Sequence, residues 1–284
     1  MIPLTKHFSR PAKIDMIHID SIDDERVSLY TKYNEPQLYH LNEPGPGIFI
    51  AETPMVIGRS LDYGARPVSV FVEEGAYKTD AVQAVLHRLP TDTEVFTAAL
   101  SVINSITGFN LTRGVLAAFI RPPLPDVRSL LSSSNLIAVL EGIVNPTNIG
   151  AIFRSAAALG VDSVFITQDS SDPFYRRATR VSMGTVFQVP WTYFPKGVDF
   201  TDLLHDLNYT VISMALSEDA ISLNDPILKE SKRRAIVFGA EGNGITGSTL
   251  AKSDHIVKIP MHNGVDSLNV AAASAVTFWE LVST

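Results

Sequence analysis

The chain has 284 residues, 45% of them hydrophobic and 19% charged, with no cysteine and a net charge of −7. Such a length suits about two domains of an ordinary well-buried globular protein, and the missing cysteines exclude disulfides, thiolate nucleophiles and cysteine-ligated zinc. The acidic balance, shared by both halves of the sequence, argues against a protein that coats nucleic acid by neutralising phosphates wholesale.

Residues 1–40 read as polar and helical, with a weak apolar face at Ile22, Leu29 and Tyr33. Leu41–Gly47 is a turn by its Pro and Gly content. A strand at Ile48–Ala51 leads into a helix over Thr53–Gly64, with Thr53 as N-cap, Pro54 at the first position and Gly64 as stop. Val68–Glu74 is a strand, and Ala81–Leu89 a helix by the 3.6 spacing of Val82, Val85, Leu86 and Leu89. A short strand EVFTA, a short helix LSVINSITG and a strand Gly114–Ile120 complete a small α/β layer domain, assigned to 1–121. The Pro- and Ser-rich stretch Arg121–Asn135 marks the boundary, with a linker at 122–134.

A second alternation fills 135–284. LIAVLEG is a strand, NPTNIGAIFRSAAALG a loop and helix, and DSVFIT a strand; PFYRRATRVSMG and FTDLLHDLN are helices. YTVISMAL, RRAIVFGA and DHIVKIP are strands, and an Ala-rich helix after Ser267 ends the chain. Runs such as AIVFGA are apolar without alternation, as in a parallel sheet covered on both faces. MIPLTKHFSR has no secretory core, and no run of about 18 apolar residues could span a bilayer, so a cytoplasmic location with no membrane contact is expected.

Three strand exits share Gly, Asn and Ser content: Val144–Ala156, Phe238–Thr246 and Pro260–Val270. Ligands of open parallel α/β sheets bind outside the carboxyl ends of strands. Arg154 lies about one turn inside the first helix, and helical side chains lean toward the N-terminus. Glu241 stands between glycines whose backbone can approach a ligand closely. Ser267 and Asn269 are both good N-caps for the last helix. The seven histidines show no metal-ligand spacing, so no metal is expected. There is no G-x-S-x-G elbow and no phosphate-binding G-x-x-x-x-G-K-[ST] loop. Basic clusters occur at Lys6, Arg10 and Lys13, at Arg176, Arg177 and Arg180, and at Lys232–Arg234; the last reads as a solvated face.

In this order the loops resemble the SpoU (TrmH-type) RNA ribose 2′-O-methyltransferases of the SPOUT superfamily. Asn148–Arg154 matches an N-x-G-x-x-x-R motif, Gly239–Gly244 matches G-x-E-G-x-G, and Ile259–Met261 with Ser267–Val270 matches I-P-M…S-L-N-V. Arg180–Gly184 matches an R-x-S-x-G element between the first two. The resemblance covers 135–284 and implies a parallel-sheet domain with a trefoil knot. Residues 45–121 look like the small α/β RNA-binding domain that often precedes it. It implies methyl transfer from S-adenosylmethionine to a ribose 2′-hydroxyl of rRNA or tRNA, with rRNA favoured, by a homodimer. Arg154, Glu241, Ser267 and Asn269 would be catalytic. Gly239, Ala240, Glu241, Gly242, Ile259, Met261 and Leu268 would hold the cofactor. Asn148, Arg176, Arg177, Arg180 and Ser182 would face RNA. Asn263 stands where the family often has Gly; Asn tolerates positive φ, so the turn is expected to survive. Ala271 stands where a Ser is common, which removes a possible hydrogen bond in the pocket. Two other readings compete: an RNA-binding protein of the same fold without catalysis, and a nucleotide-cofactor oxidoreductase built on the Gly-rich loop. The G-x-x-G-x-G spacing lacks the dinucleotide fingerprint.

Overall fold

Residues 15–107 and 114–282 are described by the computed structural model; Lys6, Arg10 and Lys13 lie outside them. The chain divides into two compact units between Pro122 and Pro123.

In the first unit the elements are β1 (Met16–His18), α1 (Ser28–Thr31), α2 (Glu35–His40), β2 (Ile48–Glu52), α3 (Pro54–Asp62), β3 (Pro67–Glu73), α4 (Asp80–Leu86), β4 (Glu94–Ala98), α5 (Leu100–Thr107) and β5 (Val115–Ile120). The sheet order is β1-β4-β3-β5-β2. Strands β1, β4 and β3 run parallel, and β5 runs antiparallel to both of its neighbours. Thr53 caps α3 through its hydroxyl and Pro54 opens it, as the sequence predicts. The N-terminal reading is corrected in part. Within the described residues the segment expected to be helical begins with a strand, and its helices are short. β1 has only three residues and takes its structure from pairing with β4, so no local periodicity reveals it. Phe71, Phe96, Ile50 and Leu116 lie in the core of this unit, and Tyr30 is buried with them.

In the second unit α6 (Val127–Ser133) precedes β6 (Leu136–Glu141), α7 (Pro146–Leu159), β7 (Ser163–Ile166), α8 (Arg176–Val181), β8 (Trp191–Tyr193) and α9 (Phe200–Asp206). Then come β9 (Thr210–Met214), β10 (Ile221–Ser222), β11 (Arg234–Gly239), α10 (Gly247–Ala251), β12 (His255–Lys258) and α11 (Val270–Val282). The sheet order is β10-β12-β9-β11-β6-β7-β8, with parallel pairing at every step. The central strand β6 is buried along its whole length, which explains its apolar run without alternation. One face packs Leu131, Leu204, Val211 and Val237. Elsewhere Phe153 of α7 meets Trp191 edge-on, and Phe174 stacks on Phe187. Each such buried ring contributes about 1.5–3 kcal/mol of transfer free energy.

The stretch expected to be a linker contains α6. Asp126 caps this helix by accepting from the Ser129 N–H, and Leu130 and Leu131 are buried. The expectation of a solvated Lys232–Arg234 run is also corrected. Arg233 donates to the carbonyls of Leu207, Leu131 and Ser134 and lies 4.4 Å over the Tyr209 ring. Helix-end carbonyls can take extra donors: at the end of α6, those of Leu131 and Ser134 receive them from Arg233 and from the Tyr209 hydroxyl. Arg234 opens β11, where burial pushes its guanidinium below the usual range. Strands β8 and β10 and helix α10 are too short to leave a periodic pattern in sequence.

Candidate active site

Strands β6 and β11 are neighbours in register, Glu141 beside Gly239 at their carboxyl ends. From β6 the chain moves to β7 and β8 on one side, while β9, β12 and β10 lie on the other. That is the topological switch point at which parallel sheets bind ligands.

The loop after β11 closes tightly. Ala240 and Gly244 exchange backbone hydrogen bonds of 3.2 and 3.0 Å, leaving Glu241, Gly242 and Asn243 at the tip. A Cβ on Gly239 would fall 2.3 Å from the Gly244 carbonyl carbon, so the turn requires glycine there. Gly242 and Gly244 have φ values of 96° and 67°, and nothing stands within 4 Å of where a Cβ would lie. The same holds for Gly264, after β12, at φ 72°. These loops therefore present bare backbone on an open side, as a polar small molecule held by peptide groups requires. Asn263 adopts φ 57°, so the turn expected to survive without glycine is present.

Helix α7 starts at Pro146, with Asn145 capping through a 2.9 Å bond from the Thr147 N–H. Asn148 follows in the first turn and is buried. Its Nδ2 donates to Glu241 Oε1 at 2.7 Å. Asn269 Nδ2 donates to the same oxygen at 2.7 Å and to Asn148 Oδ1 at 3.3 Å. Asn269 Oδ1 accepts from the Ala271 N–H at 3.0 Å, capping α11. A carboxylate only accepts, and a backbone N–H only donates, so the network dictates both amide orientations. Three loops distant in sequence are thus tied at one carboxylate oxygen. No hydrogen bond joins Glu241 Oε2 to a described residue, and it remains able to accept from a ligand or a cation.

Asn148, expected to face RNA, has its amide committed to this network. Ser182, expected beside it, is also buried. Its hydroxyl donates to the Thr179 carbonyl and accepts from the Gly184 N–H, which shapes the turn after α8. Gly150 of the first motif is where α7 meets α8: a Cβ there would lie 2.5 Å from the Ala178 carbonyl oxygen. Arg154, one turn further along α7, is exposed and makes no hydrogen bond or ion pair with a described residue. Ser267 is likewise exposed and unbonded among the described residues. Arg176, Arg177 and Arg180 lie along α8, with Arg177 and Arg180 exposed. Ile259 and Met261 leave the end of β12, and Leu268 lies just before α11.

Glu141, which sequence reading passed over, sits beneath the Gly-rich loop. It is 7% exposed, and its Oε1 accepts from the hydroxyls of Thr246 and Thr249 at 2.7 and 3.1 Å. An acidic residue closing the apolar run LIAVL was the one available signal. Among the described residues no three His, Asp or Glu side chains gather as a metal ion needs. No helix among them is long and apolar enough to cross a membrane.

The SpoU rRNA Methylase family model matches residues 135–279. An uncharacterized tRNA/rRNA methyltransferase of Mycobacterium tuberculosis is 35% identical over 276 residues, covering 95% of this chain and 93% of the relative. The 23S rRNA (guanosine-2′-O-)-methyltransferase RlmB of Escherichia coli is 32% identical over 159 residues, covering 56% of this chain and 64% of its own. Among solved structures, an AdoMet-bound rRNA methyltransferase from Sinorhizobium meliloti shares the fold, with a TM-score of 0.75 at 20% identity, covering 94% of this chain and 97% of that one.

Proposed function

Because this chain belongs to the SpoU rRNA methylase family, we propose that it transfers a methyl group from S-adenosylmethionine to a ribose 2′-hydroxyl of RNA. The observation that carries this reading is the Asn148–Glu241–Asn269 network, which joins three motif loops at the carboxyl ends of the sheet. When bound, S-adenosylmethionine supplies an electrophilic methyl on a sulfonium. The open glycine backbone at Gly242 and Gly244, with Gly239, Ala240, Glu241, Ile259, Met261 and Leu268 around it, suits a ligand held largely by peptide groups. The trefoil knot of the family would form where the chain runs from β12 into α11, which packs on α7.

Methyl transfer forms a C–O bond as a C–S bond breaks in line, and the 2′-hydroxyl gives up its proton. The protein's share is to align the hydroxyl and stabilise its developing charge. Arg154 is suited to holding the neighbouring phosphate and the nascent alkoxide, since a guanidinium does not act as a base under ordinary conditions. Its exposure, apart from the network, supports a role toward a partner protomer's site in a homodimer. Ser267 would orient the ribose; Glu241 and Asn269 would hold the loops in register. Arg176, Arg177 and Arg180 offer a basic helix for RNA phosphates, and the first unit would deliver the RNA. Ribosomal RNA is the favoured substrate, in the cytoplasm.

Calorimetry on the purified protein tests the cofactor. S-adenosylmethionine and its demethylated product should bind, and NAD and ATP should not. Equal or tighter binding of NAD would end this reading. Mapping 2′-O-methyl groups in cellular RNA with and without the protein identifies the substrate. Loss of no site would leave only the fold's RNA-binding reading standing.

A further inference from the structure

Glu141 is a buried carboxylate with an uneven set of partners. Oε1 accepts two hydroxyl hydrogen bonds, from Thr246 and Thr249. Oε2 is fully buried and has no hydrogen-bond partner among the described residues. Leaving a buried acceptor unmatched is unfavourable, so the carboxylate is set at this position for what Oε1 holds.

Its place in the fold does. Glu141 is the last residue of β6 and the register partner of Gly239, where the Gly-rich loop leaves the sheet. Thr246 stands at the other end of that loop and caps α10 through the Thr249 N–H. The carboxylate therefore ties the exit of the loop to the strand beside its entry. Between these fixed points lie the Ala240–Gly244 bridge and Glu241, with positive φ at Gly242 and Gly244. Two such glycines leave the tip with little intrinsic rigidity, so its geometry depends on how its ends are held.

We propose that Glu141 is a positioning residue for the cofactor loop: through Thr246 and Thr249 it fixes the conformation that brings Glu241 to Asn148 and Asn269. The proposal rests on the reading of this loop as the S-adenosylmethionine site. Its first readout, amide hydrogen exchange of the free protein, is independent of any ligand.

In Glu141→Ala, amides of residues 240–246 should exchange at least about tenfold faster, while those of β7 and β9 keep their wild-type protection. Affinity for S-adenosylmethionine, measured by calorimetry, should fall about tenfold or more. Glu141→Gln keeps an acceptor oxygen of the same shape. It should restore both exchange and affinity to within about threefold of wild type, with an unchanged or higher Tm. Should Glu141→Ala fail to fold, Thr246→Val removes one donor and leaves the carboxylate, and the same local exchange should rise. Unchanged exchange at 240–246, or a rise spread equally through the sheet, overturns the proposal. If exchange changes as expected but the wild type binds no S-adenosylmethionine, the loop anchor stands and the cofactor assignment falls.

Discussion

At the scale of single residues, two buried polar side chains, Tyr30 and Asn148, show how a polar atom is retained for the partners it meets. Tyr30 is buried, and burial pushes its phenol well above the usual range. Its hydroxyl donates to the Ser69 carbonyl at 2.8 Å and accepts from the Ala118 N–H at 3.2 Å. Both groups flank the register shift between Pro67 and Ser69, where the β3–β5 ladder slips. Tyr30→Phe removes the hydroxyl from both groups, and denaturant unfolding should show a loss of about 1–3 kcal/mol. A variant as stable as wild type would mean that water replaces the hydroxyl. Asn148 is the second case. Asn148→Asp would set a second carboxylate within hydrogen-bonding distance of Glu241, and two such groups cannot both stay ionised at little cost. Binding of S-adenosylmethionine should weaken about tenfold at pH 8, and the deficit should narrow toward pH 5 as the pair takes up a proton. Equal binding at pH 8 would show that the network does not shape the site.

At the scale of elements, α9 and α10 are joined by one acidic cap. Asp199 Oδ1 accepts from the N–H groups of Thr201 and Asp202, and Oδ2 pairs with Lys252 at 2.8 Å. The Lys252 ammonium, then the Thr201 hydroxyl, pushes the Asp199 carboxyl down to about 2 from an ordinary 3.8. Because the folded value is depressed, the ionised cap stabilises the fold fully above pH 4. That contribution fades as the pH falls from about 4 to about 2. The pair is partly exposed, so solvent screens it and most of the benefit is the cap itself. Asp199→Ala should cost about 1 kcal/mol at pH 7, seen as a Tm lower by roughly 2–4 °C. The gap to wild type should close between pH 4 and pH 2. A gap that stays constant down to pH 2 would assign the loss to packing. The same scale explains the glycine in the first motif, since Gly150 lets α8 lie directly against α7.

At the scale of the whole molecule, the candidate site built by one chain is a set of positioned loops, with Arg154 and Ser267 left open to solvent. Helix α11 also exposes Val276 and Trp279. A two-fold dimer that brings Arg154 to the partner's loops makes a quantitative prediction. Arg154→Ala and Asn269→Ala should each be inactive alone. After subunit exchange, about half of the dimers are mixed. Each mixed dimer holds one intact and one doubly altered site, so roughly a quarter of all sites should work. If mass analysis confirms exchange and no activity returns, the two residues act within one chain.

The sequence alone determined the two α/β alternations, the apolar central strands, the cap at Thr53, and the three motif loops that form the candidate site. These are local properties: hydrophobic period, the geometry of Pro and Gly, and the hydrogen-bonding reach of short side chains. It also placed Glu241 and Asn269 at strand exits as candidates, because their neighbours are small and their loops polar. Only the tertiary structure decided which groups meet. Asn148 became a partner of Glu241 rather than a surface residue because α7 begins beside the end of β11. Arg233 became a helix-end donor because α6 and Tyr209 close over it. Glu141 gained its threonines because β6 and β11 are neighbours, although 105 positions separate Glu141 from Thr246. Such contacts follow from strand order, which depends on the packing of the whole sheet and leaves no periodic mark on the residues it joins.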